Sequence, residues 1–574
     1  MPHWRKHHIF GLLSLGLCLL LLTACNINIF GINISIGNST VKAPNNKQIY
    51  TAPVTGVLDF DTLDPALVHD AASINAAQMI FTGLVQLDDQ QQLHPQLAQS
   101  WQVNSDGVTW IFHLKSHLKF SDGTPLTSAD VAYSIDRALQ PQTQSTVAPI
   151  YLGLIKDANQ LVSGQIPTLI DDSILTPDPN TVVIVTSQQA PYFLSMLTYP
   201  CSYVVEKSLV TKYGLQFTDH LNAGGGAGPF KVAQFTHRVS INFVPNKYYY
   251  DAKPQLQKVN FLFYASAEQA YQDYLNNRLD TAPVPLSNVN SARKHKDFVQ
   301  EPQLWINYYA MNYLTKPFDN IHIRQAFALA INKTAIAKNV WQNTVIPTNH
   351  IVPQGMDGYN PTLTGPDGTS ALSGNFAKAQ QLFKQGLQEE GWSSVSQVPP
   401  ITLTYASGAP GFDQEAQALT QGWKKVLGVD ITANSVDYST LLDQVTASTN
   451  NQNGLQMWGL AWVDEYPDPH DWLTLQFGRS AVYNNENYGE NFSNTAARQQ
   501  FLQQQLVQTD SMLNNSERMQ RYQQEEQQLV DDVAWLPMEQ VTSTFVRSSH
   551  INGIVDNAQG TIPPDDWANI YRTQ

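Results

Sequence analysis

The chain has 574 residues, a formal net charge of −15 and only 14% charged residues. That length exceeds one hydrophobic core and calls for several folding units. The acidic balance, with no Lys/Arg cluster, argues against nucleic acid as a partner.

Arg5 and Lys6 precede an apolar run from Ile9 to Leu22, and the run ends in Leu22-Thr23-Ala24-Cys25. A basic start, a short apolar stretch and small residues form the pattern of a signal peptide. The run is shorter than the roughly 20 residues of a membrane span. Its ending resembles the lipobox of bacterial lipoproteins, which implies removal of residues 1–24 and lipidation at Cys25. An ordinary secretory signal with an incidental Cys is the alternative. Loss of Arg5 and Lys6 takes the formal charge from −15 to −17. Cys201 is then left without an intrachain partner and reads as a small buried residue. Residues 25–47, rich in Asn, Ile, Gly and Ser, read as a flexible tether. Their Ile/Asn alternation is also compatible with an edge strand.

Further along, Val108–Lys115, Thr181–Thr186 and Val239–Val244 read as strands from their β-branched and aromatic content. Ser121–Pro125 is a turn by composition. Thr127 followed by Asp130 matches a capping box and opens a helix to about Leu139. The glycine-rich Asn222–Pro229 marks a bend. Apolar spacing predicts helices at Ser266–Asn276, Ile321–Ile331, Asn375–Glu390, Asp413–Val426, Thr495–Leu513 and Ser516–Val530. Strands throughout, with long helices gathered after residue 300, indicate an α/β protein of several lobes.

The most informative stretch is Gly459-Leu-Ala-Trp-Val-Asp-Glu-Tyr-Pro-Asp-Pro-His-Asp471. Pro467 and Pro469 disfavour a helix there and suggest a loop or strand end. Trp462 and Tyr466 beside Asp464, Glu465 and Asp468 make a plausible seat for a ligand ammonium group. An exposed acidic turn with one structural Trp is the competing reading.

A long series of motifs carries a resemblance. It runs through Leu63-Asp64-Pro65, Gly83-Leu84-Val85, Pro95-Gln96-Leu97-Ala98-Gln99-Ser100-Trp101, Ser105-Asp106-Gly107, Phe112–Lys115 and Lys119–Val131. Gly228-Pro229-Phe230, Asn246–Tyr249, Lys316–Asp319, Ile323–Ala326, Ala379–Phe383, Gly391-Trp392, Trp462–Pro469 and Trp567–Tyr571 follow in order. From Ile49 to Arg572 the chain resembles the family 5 extracellular solute-binding proteins, the oligopeptide- and dipeptide-binding components of ABC importers.

The resemblance implies an α/β, periplasmic-binding-protein-like clamshell of two lobes with an additional small third domain, closing on its ligand by a hinge. Lobe I is expected from residues 48–87, 193–308 and 540–574, lobe II from 88–192 and lobe III from 309–539. It implies an extended peptide ligand, a permease and an ATPase as partners, an extracytoplasmic monomer, and no cofactor. The family's ammonium-pairing acid falls on Glu465, with Asp464 able to take over and Asp468 able to hold the loop instead. Tyr308, Tyr309 and Asn312 fall where the chain crosses between lobes. Ala71–Asn75, including Ser73, falls on an early ligand-facing loop.

One departure stands out. Some relatives pair the ligand carboxylate with Arg residues just before the Trp loop, whereas no Lys or Arg occurs from Val426 to Gly478. That disfavours tripeptides and favours longer peptides or a cationic solute. A nickel complex, an oligosaccharide or an opine remains an alternative ligand, because fold does not fix function. A secreted hydrolase is a remote alternative, since Gly-x-Ser-x-Gly and His-Glu-x-x-His motifs are missing from the sequence. Asp468, His470 and Asp471 crowd into a Pro-rich turn ill-suited to metal geometry, so no metal site is expected.

Overall fold

The computed structural model describes residues 41–408 and 411–574, together with the backbone of Ile27–Ile29 and Ile32–Ile34. The expected signal peptide and Cys25 lie outside the described residues. Ile27–Ile29 pairs antiparallel with Ile32–Ile34 and with no other described strand. From Val41 onward the chain is docked rather than free. The Ala43 amide donates to the Arg572 carbonyl (2.8 Å), the Gln574 amide donates to the Val41 carbonyl (2.9 Å), and Ala43 is buried. The tether expected through residue 47 therefore meets ordered structure by Val41, because the C-terminal strand offers it backbone partners.

Three larger sheets organise the rest. The first has the order Phe230–Thr236, Ser240–Pro245, Lys258–Phe263, Ile49–Val54, and its last pair is parallel. Its core includes Tyr50, Phe230, Phe243, Val259 and Trp567, with Ala76, Met79 and Ile80 of the helix Ala71–Ile80. The second sheet orders Ala98–Val103, Thr109–Leu114, Thr181–Val185 and Ile174–Asp178. Trp110, Phe112, Val182 and Ile184 point to one face and pack with Ile135 of the helix Ser128–Leu139. This is the period-two alternation expected of a half-buried strand. The Asp130 carboxylate accepts from the Thr127 amide (2.8 Å), as the capping box predicts.

The third and largest sheet depends on two long strands, Phe298–Met311 and Leu536–Arg547, which pair antiparallel with Asn307 opposite Glu539 and Pro302 opposite Thr542. Met457–Val463, Ile401–Ala406 and Ile431–Val436 extend one side, and Thr281–Pro283 the other. Alternation splits neighbours between two cores. Tyr309 joins Phe327, Phe383 and Trp423 on one face, and Tyr308 joins Trp458, Tyr522 and Trp535 on the other. The expected helices are present as Ala267–Leu275, Ile321–Leu329, Phe376–Glu389, Phe412–Leu427, Ala496–Asp510 and Asn515–Asp532. Asn320 and Asn375 cap two of them by accepting amide hydrogens at 3.3 and 3.2 Å.

Two of the motifs are architectural. Asp64 accepts from Arg137 Nη1 at 3.0 Å and from the Ala66 amide at 3.0 Å, tying the loop after the first strand to the helix Ser128–Leu139. Glycine at 226 and 228 lets that segment pass under the end of Ala71–Ile80. A Cβ on Gly226 would lie 2.1 Å from the Ile80 carbonyl oxygen, and the Gly228 amide donates to that same oxygen at 2.8 Å.

Candidate ligand-binding cavity

A cavity of about 310 Å³ opens where these units meet. The helix Ala71–Ile80 supplies Ala71, Ile74, Asn75 and Gln78, spaced i, i+3, i+4, i+7 and so on one face. The expectation of a loop at Ala71–Asn75 is corrected here: Asp70 accepts from the Ser73 amide (2.9 Å) and starts a helix. Gln86, Leu87, Tyr199 and Tyr203 form a second wall. Gln303 and Ser543, from the two long strands, form the floor. Val463, Asp464 and Glu465 face the helix, and Gln559–Pro564 closes the ring.

Among the described residues no Lys, Arg or His lines this cavity, whereas two carboxylates do. A third, Asp471, is buried directly behind them and accepts from the Trp462 indole nitrogen and the Glu465 amide, both at 3.1 Å. Burial pushes the Asp464 carboxyl up to about 7; the Gln559 amide opposes this and the Glu465 charge adds to it. Burial also raises Glu465, against a hydrogen bond from the Tyr151 hydroxyl. Asp471 is raised strongly, first by burial and then by Glu465. Several acids in one poorly hydrated space disfavour their joint ionisation until a cation arrives.

Of the residues expected at the ligand, Asp464, Glu465 and, from Ala71–Asn75, Ala71, Ile74 and Asn75 line the cavity, whereas Trp462, Tyr466, Asp468, Tyr308, Tyr309, Asn312 and Ser73 lie elsewhere. Alternation along Met457–Val463 turns Val463 to the cavity and Trp462 to the opposite core, where it meets Tyr483 at 4.8 Å. Tyr466 is buried in the core of the second sheet, its hydroxyl 2.7 Å from His470 Nδ1. Asp468 is held bidentately by Arg518 (2.9 and 2.6 Å) and caps a one-turn helix, Pro469–Trp472. Pro469 thus begins a helix, because its missing amide is unneeded at that position. Tyr308 stacks on Trp535 at 3.6 Å, and the Tyr309 hydroxyl donates to Glu415 at 2.9 Å. Asn312 donates to the Leu455 carbonyl (3.1 Å) and accepts from Asn487 (2.9 Å). Ser73 is fully buried inside its helix.

Tyr199, with Tyr203, forms the aromatic wall in place of Trp462. The Tyr199 ring stacks on Tyr151 at 3.7 Å and 13°, and its hydroxyl donates to the Val68 carbonyl (3.2 Å). Tyr192 stacks on His470 at 3.9 Å. The core of the second sheet therefore grips the acidic segment from behind.

Residues 92–484 match the family described as bacterial extracellular solute-binding proteins, family 5. The chain belongs to that family. Within the family, it is 25% identical over 551 residues to the oligopeptide-binding protein OppA of Bacillus subtilis, covering 95% of this chain and 96% of that protein. It is 26% identical over 521 residues to the periplasmic oligopeptide-binding protein OppA of Salmonella typhimurium, covering 89% and 90%. The unliganded open form of the periplasmic murein tripeptide-binding protein MppA superposes with a TM-score of 0.77 at 24% identity, over 93% of this chain and 99% of that one. The mixed α/β, multi-lobed architecture is thus that of the family's periplasmic binding proteins, as expected from the sequence.

Proposed function

We propose that the protein captures extracellular peptides by their free amino end and presents them to an ABC permease and its ATPase, without chemistry of its own. In this reading the lobes divide at 48–87, 193–308 and 540–574 (lobe I), 88–192 (lobe II) and 309–539 (lobe III). The two long strands are the crossing points, and closure is a hinge movement. The chain acts as an extracytoplasmic monomer held to the membrane through a lipid on Cys25.

The observation that carries the reading is a cavity with two carboxylates and no cation, one of the carboxyls raised to about 7. An α-ammonium offers three donors and the missing charge. Buried without an anion it would cost several kcal/mol, and paired it binds. Gln78, Gln303 and Gln559 provide neutral amide donors and acceptors for a peptide backbone.

Native mass spectrometry of the protein as purified, followed by titration with peptides and their N-acetylated forms, tests this. Free-amine peptides should bind and acetylated ones should not. Co-purification of a sugar, opine or nickel complex, with no peptide binding, overturns the peptide reading. Release of peptide fragments would overturn the absence of chemistry.

A further inference from the structure

We propose that Glu301 forms a second cation subsite, so that the preferred ligand is a peptide with a Lys or Arg side chain at its first or second residue. This rests on the peptide reading above.

A second cavity of about 320 Å³ adjoins the first. Gln303, Ser543, Gly560 and Thr561 line both, so the two cavities abut across these residues. Glu301 lies opposite Ser543 in the strand pair. Glu301 and Gln303 both line this second cavity. Among the described residues the Glu301 carboxylate has no ion pair and no hydrogen bond. Among the described residues the one basic side chain lining either cavity, Arg547, is already bound through both terminal nitrogens to Asp556, with Nη1 at 3.1 Å. Its charge is thereby answered and does not compensate Glu301. Burial, and then Asp556, raise the Glu301 carboxyl.

Spacing sets the ligand. The Asp464 amide donates to the Leu304 carbonyl (3.0 Å), and Glu301 is three residues earlier in that strand, across a register shift that begins after Pro302, so its backbone lies at most about 10 Å from that of Leu304. One residue of extended backbone, at ~3.5 Å, plus a four-carbon side chain covers that distance. Phe545, Ile562 and Pro283 offer an apolar wall for the stem of such a side chain while its charged head reaches the carboxylate.

The test uses two pairs of pentapeptides, Lys-Ala-Ala-Ala-Ala with norleucine-Ala-Ala-Ala-Ala and Ala-Lys-Ala-Ala-Ala with Ala-norleucine-Ala-Ala-Ala, titrated into wild type and Glu301→Gln. In at least one pair the Lys peptide should bind wild type about tenfold tighter, as a closely paired interfacial charge does. Glu301→Gln should abolish that preference and leave the norleucine Kd within about twofold, which also shows that the variant folds. Equal binding of both members of each pair by wild type overturns the subsite, as does a preference that survives Glu301→Gln. Failure of all four peptides to bind wild type overturns the peptide reading as well.

Discussion

The Tyr151 hydroxyl donates a hydrogen bond to the Glu465 carboxylate, joining two points 314 residues apart in the chain. Tyr151 belongs to the core of the second sheet and Glu465 lines the cavity. Placement of the acid thus depends on how the second sheet sits against the segment 464–470. Tyr151→Phe keeps the ring and its stack on Tyr199 but removes the donor. Loss of one hydrogen bond to a charged group costs about 1.5–3 kcal/mol, so the affinity for a free-amine peptide should fall at least tenfold. Calorimetry reads this directly, and unchanged affinity would mean that the contact is not kept in the bound state.

Ligand binding should depend on pH in a defined direction. Asp464 has a folded pKa of about 7 against an ordinary 3.8. Between those values the folded protein holds a proton that the unfolded chain has lost, so the stability of the unliganded protein falls as pH rises from about 4 to about 7 and levels off above that. Glu415, Glu539, Asp471 and Glu486 are buried and raised, and they act in the same direction. An ammonium ligand favours the carboxylate. Its stabilising effect on Tm should therefore grow from about pH 5.5 to about pH 7.5, and fade once the peptide's own amine loses its proton near 8. A ligand-induced rise in Tm that stays flat over this range would contradict the placement of the charge on Asp464.

The Asp64–Arg137 pair should be a keystone between the first and second sheets. Both side chains are at least nine-tenths buried. Removing one partner of such a pair leaves an uncompensated charge and costs about 3–5 kcal/mol. Urea unfolding of Arg137→Leu should show this loss, and one below about 1 kcal/mol would mean that Asp64 is satisfied by its backbone donors alone.

Gly226→Ala should damage both stability and binding. The added Cβ would press on the Ile80 carbonyl at 2.1 Å, at the end of the helix whose other face lines the cavity. Overpacking of this kind costs about 1–3 kcal/mol. Thermal melting should show the loss and titration a weaker peptide affinity. Unchanged affinity would show that the helix is held independently of its C-terminal contact.

Much of this organisation is legible in the sequence, and the gaps have physical causes. The Thr127–Asp130 capping box announces the helix Ser128–Leu139, and apolar spacing announces the long helices. Asp464 and Glu465 stand out because a cluster of acids sits in a stretch lacking any base. The remaining walls give no such signal. Ala71, Ile74, Asn75 and Gln78 are small or neutral, and their common purpose appears only when Asp70 starts a helix. Gln303, Ser543 and Gln559 are ordinary residues until the two long strands and the C-terminal segment bring them together. Trp462 and Tyr466 read as ligand aromatics because composition carries no direction. Strand alternation sends one into the opposite core, and the second sheet claims the other.

The central claim is that Asp464 and Glu465 seat a ligand ammonium. A double-mutant cycle measures it most directly: one peptide and its N-acetylated form, each titrated into wild type, Glu465→Gln and Asp464→Asn. At least one substitution should weaken the free-amine peptide by about 2–5 kcal/mol, some 30-fold or more in Kd, while the acetylated peptide changes little. A coupling energy near zero for both substitutions would contradict it.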